Sequence, residues 1–600
     1  MNRSPKEYYL TENKAIENEL IKIKQTISHL FFGRLTTFIA IIVFLVLYVQ
    51  QRENALFLLG LIFSTILFSI AVRIDQKKVS REKYLLHRKK VIEIELGFLN
   101  HEFQNNDSGT EFERNNLHLS VDFNLFGPKS LFQYLNRTST YIGRRKLAQR
   151  ISAPNKNIGQ IKEQQKSIKE LSGKSSFAIN FRTLGLYIHE KGNEIEDIEA
   201  WISQNNRSTT TMQILRFLIP VFNLSCFALA IFGFIPPSLI VIPIVLSLTI
   251  VALYARKINI AHSKVGKKAQ ALKLYSSLLK EIENGEFQSS LLIKSQALLI
   301  SDKNRSSVSL TALFKLLNAF DIRYNFILSI ILNSIFLFDL HVYCKLIRWK
   351  KAHKNIIPQW FECLAEYDAQ ISLATFTFNN QNLVCFPTLV DSESFLYCAI
   401  EMGHPLLPHN ERVCNDFGIN NNPNISIITG ANMAGKSTFL RTLATNFILG
   451  MTGAPVCAKS FEFTPCDIKS SIKIEDSLSK NESYFYAELL RIKEILEHVK
   501  ANPKTLVILD EILRGTNTKD KQLGSIGLIK QLISLNAVVL IATHDLSMGE
   551  MEHDYPEIVH NFCFEVELNN NDLIFDYKIK PGISKKLNAS FLMKKMGIIS

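Results

Sequence analysis

Ile425-Ser-Ile-Ile-Thr429 runs directly into Gly430-Ala-Asn-Met-Ala-Gly-Lys-Ser437, and this junction decides the reading of the C-terminal part of the chain. The second stretch fits G-x-x-x-x-G-K-[ST] in the setting that pattern needs, an apolar strand before it and a helix over residues 438–449 after it. Gly430 and Gly435 let the backbone curl so that the N–H groups of Ala431, Asn432, Met433 and Ala434 turn inward toward phosphate. The helix opening at Thr438 adds the positive end of its dipole. Lys436 then reaches the β- and γ-phosphates and the Ser437 hydroxyl ligates Mg²⁺. The stretch implies a nucleoside triphosphate, ATP, with Mg²⁺ as its cofactor.

Thr505-Leu-Val-Ile-Leu-Asp-Glu511 supplies the complementary half, an apolar strand ending in two acids. Asp510 is placed to hold Mg²⁺ and Glu511 to polarise the attacking water. A further strand over residues 537–542 ends at Thr543-His544, where an imidazole can sense the γ-phosphate. Taken by itself His544 is an ordinary loop residue; beside the other two motifs it reads as catalytic, with Glu511 and Lys436.

The chain has 600 residues, enough for three or four units, and a net charge of +14, which suits an anionic partner such as nucleic acid or an acidic membrane surface. Nine cysteines without a C-x-x-C pair indicate neither a disulfide framework nor a zinc site, and point to a reducing compartment.

Hydrophobicity is unevenly spread. Residues 35–49 and 54–72 are uncharged apolar runs joined by Gln50-Gln-Arg-Glu53, and a second pair lies at about 212–234 and 238–254. Each is long enough to cross a bilayer as a helix, so each pair reads as a transmembrane hairpin. Lysines and arginines follow both pairs, which puts the termini and the large segments in the cytoplasm and the chain in the inner membrane. A fifth apolar patch, residues 326–338, is short and contains Asn333; it is expected to be a core helix.

The expected organisation is an N-terminal cytoplasmic helix (1–34), hairpin 1 (35–72), a charged membrane-proximal helix and linker (73–119), a mainly α core (120–380) interrupted by hairpin 2 (212–254), and a C-terminal α/β domain (385–600).

Three stretches, Thr429-Gly-Ala-Asn-Met-Ala-Gly-Lys-Ser-Thr-Phe-Leu-Arg441, Leu509-Asp-Glu-Ile-Leu-Arg-Gly-Thr-Asn-Thr518 and Ala542-Thr-His544, resemble the ATPase domain of the MutS mismatch-repair family. Gly403-His-Pro405, Asn415 and Tyr577-Lys-Ile-Lys-Pro-Gly582 add to the likeness. Residues 130–144, Ser130-Leu-Phe-Gln-Tyr-Leu through Gly143-Arg144, resemble more weakly the start of that family's helical core. The resemblance implies a P-loop ATPase of the ABC-like kind that hydrolyses ATP to ADP and phosphate. It further implies a homodimer joined through the ATPase domains, with Ser483 in Asn481-Glu-Ser-Tyr-Phe-Tyr-Ala-Glu488 completing the partner's site. Asn481 stands where the family has glycine, and Ser483 could equally be a helix N-cap.

The expected partners are double-stranded DNA, mismatched or branched, and the lipid bilayer. The family's mismatch-reading domain finds no counterpart before residue 120, where the membrane hairpin lies instead. The second hairpin interrupts the core near the place of the family's DNA clamp. Two functions follow: a membrane-anchored, ATP-dependent DNA-binding protein, or a membrane mechanochemical ATPase that does not bind DNA. Lys345, Arg348, Lys350, Lys351 and Lys354 form a basic stretch better suited to a solvated or membrane-proximal face than to phosphate reading.

Overall fold

The structure, a computed structural model, describes residues 4–51, 54–188, 194–204, 209–265, 269–300, 305–473, 484–569 and 572–584. The chain is mostly helical up to Asn379 and α/β beyond it.

It opens with two long antiparallel helices, Pro5–Gln50 and Ala55–Leu99. Ser4 starts the first with a capping box, its hydroxyl accepting from Glu7 N–H while the Glu7 carboxylate accepts from Ser4 N–H. The boundaries expected near residues 34 and 72 fall inside these helices. Hydropathy changes there, but no proline interrupts the backbone and the helix runs on through Gly33, so charged and apolar segments are one continuous rod. The charged halves are laced by Glu19–Arg81 and Glu12–Arg88 at 2.9 Å and Glu17–Lys89 at 2.7 Å. Arg34 and Asp75 meet at 2.7 Å where the apolar halves begin. Beyond that pair Gly60 admits the ring of Phe44: a Cβ on Gly60 would lie 2.6 Å from it, the close approach small residues allow between apolar helices.

Four helices among the described residues are long and apolar enough to cross a bilayer: Pro5–Gln50, Ala55–Leu99, Thr210–Ile231 and Pro237–Ile260. Many of their large side chains are exposed, and Phe63, Val221 and Leu253 are more than 60% exposed. That is the reverse of a soluble core helix.

The helical core is organised on Ile357–Asn379, which is buried along most of its length. Asp368 on this helix accepts from Ser139 N–H at 2.9 Å, Thr140 N–H at 2.8 Å and the Thr140 hydroxyl at 2.7 Å. It thereby satisfies the start of the helix Tyr141–Ser152. Gly143 is required there, because a Cβ would sit 2.1 Å from the Asp368 carboxylate. The glycine of the 130–144 motif is thus a packing residue.

One expectation is corrected. The segment Phe326–Phe336 is helical but is no core helix: Phe326, Ile327 and Ile331 are exposed, while its buried residues are Asn333 and Ser334. Composition marked it as apolar; which face turns inward is decided by its neighbours.

Among the described residues the C-terminal part holds two sheets. A four-stranded sheet has the order Thr388–Leu389, Ser460–Phe463, Tyr397–Met402, Asn415–Ile419. A six-stranded sheet runs Asp572–Pro581, Val559–Asn569, Asn424–Gly430, Val538–Thr543, Thr505–Asp510, Asp467–Ser471. All its neighbours are parallel except the first pair. The three central strands, 424–430, 538–543 and 505–510, are buried at every residue, as strands covered by helices on both faces must be. Their carboxyl ends, where open parallel sheets place their ligands, carry Gly430, Asp510 and Thr543.

Candidate functional site

The strand Asn424–Gly430 ends in the glycine loop, and the helix Lys436–Met451 begins as the loop closes. Gly430 has φ +153° and a Cβ there would meet the Phe564 carbonyl at 2.8 Å; Gly435 has φ +106°. Both positions therefore need glycine. Met433 takes a positive φ of +68° between them and leaves its side chain in solvent. No side chain caps this helix, so its first N–H groups are left for an anion. Lys436 is buried and its Nζ donates to the carbonyls of Gly430 at 2.7 Å and Ala431 at 3.0 Å. Burial lowers its pKa, against the attraction of Glu511 and Asp510.

Across the loop, Asp510 ends its strand buried, with Oδ1 lacking any hydrogen-bond partner. Burial raises its pKa, opposed by a hydrogen bond from Ser437 and reinforced by Glu511. A half-buried hydroxyl beside a buried carboxylate with a free oxygen is a hard-oxygen donor set that suits Mg²⁺. Phosphate and water oxygens would complete the ion's shell.

Glu511 takes φ +49° as the chain turns off the strand, and its N–H donates to the Ala542 carbonyl at 2.9 Å. Its carboxylate faces His544 Nδ1 at 3.7 Å and Arg514 Nη2 at 3.2 Å. The fold thus brings together Lys436, Ser437, Asp510, Glu511 and His544 from three strand ends. Ser483 lies outside the described residues.

The glycine loop lines a cleft of about 430 Å³ that also takes in Ala431, Asn432, Met433, Ala434, Thr438 and Glu511. His404, Leu407, Val413, Phe564 and Tyr577 also line it, a mixed aromatic and aliphatic wall that fits a planar base. His404 Nδ1 accepts from Leu406 N–H at 3.2 Å. Burial, with Arg412 and Arg441 nearby, pushes its pKa down to about 4, so the ring is neutral at pH 7. Asn415 braces this wall, donating to the Tyr577 carbonyl at 3.0 Å and accepting from Ile579 N–H at 2.9 Å.

Two residues of this neighbourhood had no sequence-based role. Glu488, on the helix Tyr484–Ala501, accepts from the N–H groups of Leu513 and Arg514. Arg514 returns to Glu511, its Nε donating to the Glu511 carbonyl at 3.0 Å. Glu488 stands in a quoted motif, but nothing in its spacing says which loop it reaches. Phe564 carried no signal at all.

A strand, a glycine loop with its buried lysine and two acids at the end of a nearby strand define a C-terminal α/β domain with its cleft at the carboxyl ends of the strands. Comparison with known proteins narrows the class. Residues 114–374 match MutS domain III and residues 426–594 match MutS domain V. The chain is 29% identical over 268 residues to human "MutS protein homolog 4", covering 43% of this chain and 28% of that protein. It is 31% identical over 254 residues to "DNA mismatch repair protein MutS" of Thermotoga maritima, covering 41% and 31%. With the protein of the same name from Ehrlichia chaffeensis it shares 32% over 238 residues, covering 39% and 29%. The chain belongs to the MutS family. Its match spans less than a third of the length of these relatives.

Proposed function

We propose that this chain is a membrane-anchored, Mg²⁺-dependent ATPase that couples ATP hydrolysis to DNA binding. The observation that carries the ATPase reading is the convergence at one cleft of a buried loop lysine, a serine–aspartate pair with a free oxygen, and a glutamate flanked by histidine. In this reading Lys436 and the loop amides bind phosphate, and Ser437 and Asp510 hold Mg²⁺, which would neutralise phosphate charge. Glu511 takes the proton of the attacking water and His544 senses the γ-phosphate. The cleft wall at His404, Val413 and Tyr577 receives the base. Two copies pair through their ATPase domains, each offering Ser483 to the other.

The membrane reading is supported by the length, composition and outward apolar faces of the two hairpins, with the ATPase and core on the cytoplasmic side. Family membership supports the DNA reading. A second reading, a mechanochemical ATPase without DNA, is favoured by a separate observation: the second hairpin emerges from within the helical core and exposes the apolar Phe217, Val221 and Leu253.

ATP turnover of the detergent-solubilised protein, with and without duplex, mismatched and branched DNA and beside Lys436→Ala, tests both. Turnover that depends on Lys436 and responds to DNA in a salt-sensitive way supports the first reading. Turnover that depends on Lys436 but ignores every DNA rejects it in favour of the second. Absence of Lys436-dependent turnover rejects both.

A further inference from the structure

The helix Ser306–Asp321 packs into the core through Leu310, Leu313, Leu317 and Phe320, all fully buried. Past Tyr324 the chain bends by 111° into Phe326–Phe336. Leu337 then takes a left-handed φ of +46° and the chain returns as the helix Phe338–His353. The return helix lies against the first one, Trp349 Nε1 donating to the Ser309 carbonyl at 3.0 Å. Arg323 and Asp339, at the two ends of the excursion, are bonded at 2.7 Å. The segment between them therefore leaves and re-enters the core on the same side. A broken transmembrane span would separate those two residues.

The excursion is inside out. Tyr324, Phe326 and Ile327 are 78%, 75% and 71% exposed, and Ile331 is 49% exposed, whereas Asn333 and Ser334 are buried. Its helix ends are satisfied by side-chain amides. Asn325 accepts from Leu328 N–H at 3.1 Å, and Asn333 Oδ1 accepts from Asp339 N–H at 2.9 Å. Asn223 Nδ2 donates to the carbonyls of Ser334 and Ile335 at 3.0 Å and to the Ser247 hydroxyl at 2.9 Å. In hydrocarbon, where water is absent, the free carbonyls of a helix end must be met this way. Asn223 lies about 10 Å beyond Arg216, the charged residue of its helix, at 1.5 Å per residue, which is within the cytoplasmic half of a hydrocarbon layer about 30 Å thick.

We propose that residues 324–336 form a re-entrant helix embedded in the cytoplasmic leaflet of the bilayer and docked on the second hairpin through Asn223. The occupant of its exposed face is lipid, because that face continues the apolar surface of the hairpin to which Asn223 ties it. The exposed Lys345 and Arg348 on the return helix stand where basic residues meet anionic headgroups. The inference rests on the hairpins being membrane spans and adds a third element, driven by the core itself. Movement of the Ser306–Asp321 and Phe338–His353 pair would thus be felt directly in the bilayer.

The test uses the full chain in phosphatidylcholine–phosphatidylglycerol vesicles doped with a phospholipid carrying a diazirine in its acyl tail. After photolysis, adducts are mapped by peptide mass spectrometry. Labelling of residues 326–331 comparable with that of 214–224 and 241–253, and at least about tenfold above the exposed soluble helix Thr518–Ser534, is expected. Labelled hairpins with 326–331 at the soluble background would overturn the inference, placing water, another protein or a second copy of this chain on that face. Unlabelled hairpins would reject the membrane reading itself. In Asn223→Leu, labelling of 326–331 relative to the first hairpin should fall severalfold; an unchanged ratio overturns the docking role of Asn223.

Discussion

The Glu488 carboxylate accepts a hydrogen bond of 2.6 Å from the N–H of Leu513, and so joins the helix that follows residues 474–483 to the turn carrying Glu511. Leu513 and Glu511 both hold positive φ, +57° and +49°, a conformation that costs free energy unless its surroundings enforce it. Glu488 is the enforcing contact. Burial raises its pKa, opposed by the two backbone bonds and Arg514.

Glu488→Ala leaves the Leu513 N–H buried and unpaired, at a cost of about 1–3 kcal/mol. With the Glu511 turn loosened, kcat should fall more than KM rises, and Glu488→Gln, which keeps an acceptor, should recover most of the loss. Steady-state ATP turnover of the two variants checks this; equal damage by both would show that the contact is not what positions Glu511.

Asp122 is the matching contact from the helical part of the chain. It is fully buried, forms an ion pair with Arg491, and accepts from the Ser470 hydroxyl at 2.7 Å and Lys473 N–H at 2.8 Å. Arg441, on the helix after the glycine loop, donates to its backbone carbonyl at 3.0 Å. Asp122→Ala should destabilise the protein by about 3–5 kcal/mol, because Arg491 is left buried without its partner. The double variant with Arg491→Met should lose less than the sum of the single losses. Melting temperatures of the three variants in detergent decide it.

Glu511→Gln should lower ATP turnover by at least about 100-fold, the scale of a lost general base. Nucleotide affinity should persist because Lys436 and the loop amides are untouched. Lys436→Ala should weaken both binding and turnover. Equilibrium binding of labelled ATP beside turnover separates the two; a Glu511→Gln protein that still hydrolyses at the parent rate would remove Glu511 from the chemistry.

His404 makes stability depend on pH. Its folded pKa is about 4 against an ordinary 6.5, so between those values the unfolded chain binds a proton that the folded protein does not. Stability should therefore fall as pH drops from 6.5 toward 4 and be flat in this respect above 6.5, with at most about 3 kcal/mol from this ring. Melting curves from pH 4.5 to 7.5 should show a shallower slope for His404→Gln than for the parent.

Local sequence determined the strand–glycine loop–helix junction at 425–449, because φ angles at Gly430 and Gly435 and the lysine's reach are set within a few bonds. It determined the acid pair that ends the Thr505–Asp510 strand, through seven consecutive residues of one pattern, and the four long apolar helices, since length and hydropathy are properties of a segment alone. What surrounds those segments belongs to tertiary structure. Glu488 and Leu513, Asp122 and Arg491, and Asn223 and Ser334 are far apart in the chain, and neither partner's type or spacing names the other. The segment Phe326–Phe336 shows the limit most plainly. Its composition is that of a core helix, and only the bend after Tyr324, the Arg323–Asp339 bond and the Asn223 amide turn its asparagine inward and its phenylalanine and isoleucines out. Hydropathy records how apolar a segment is; packing decides what its apolar face meets.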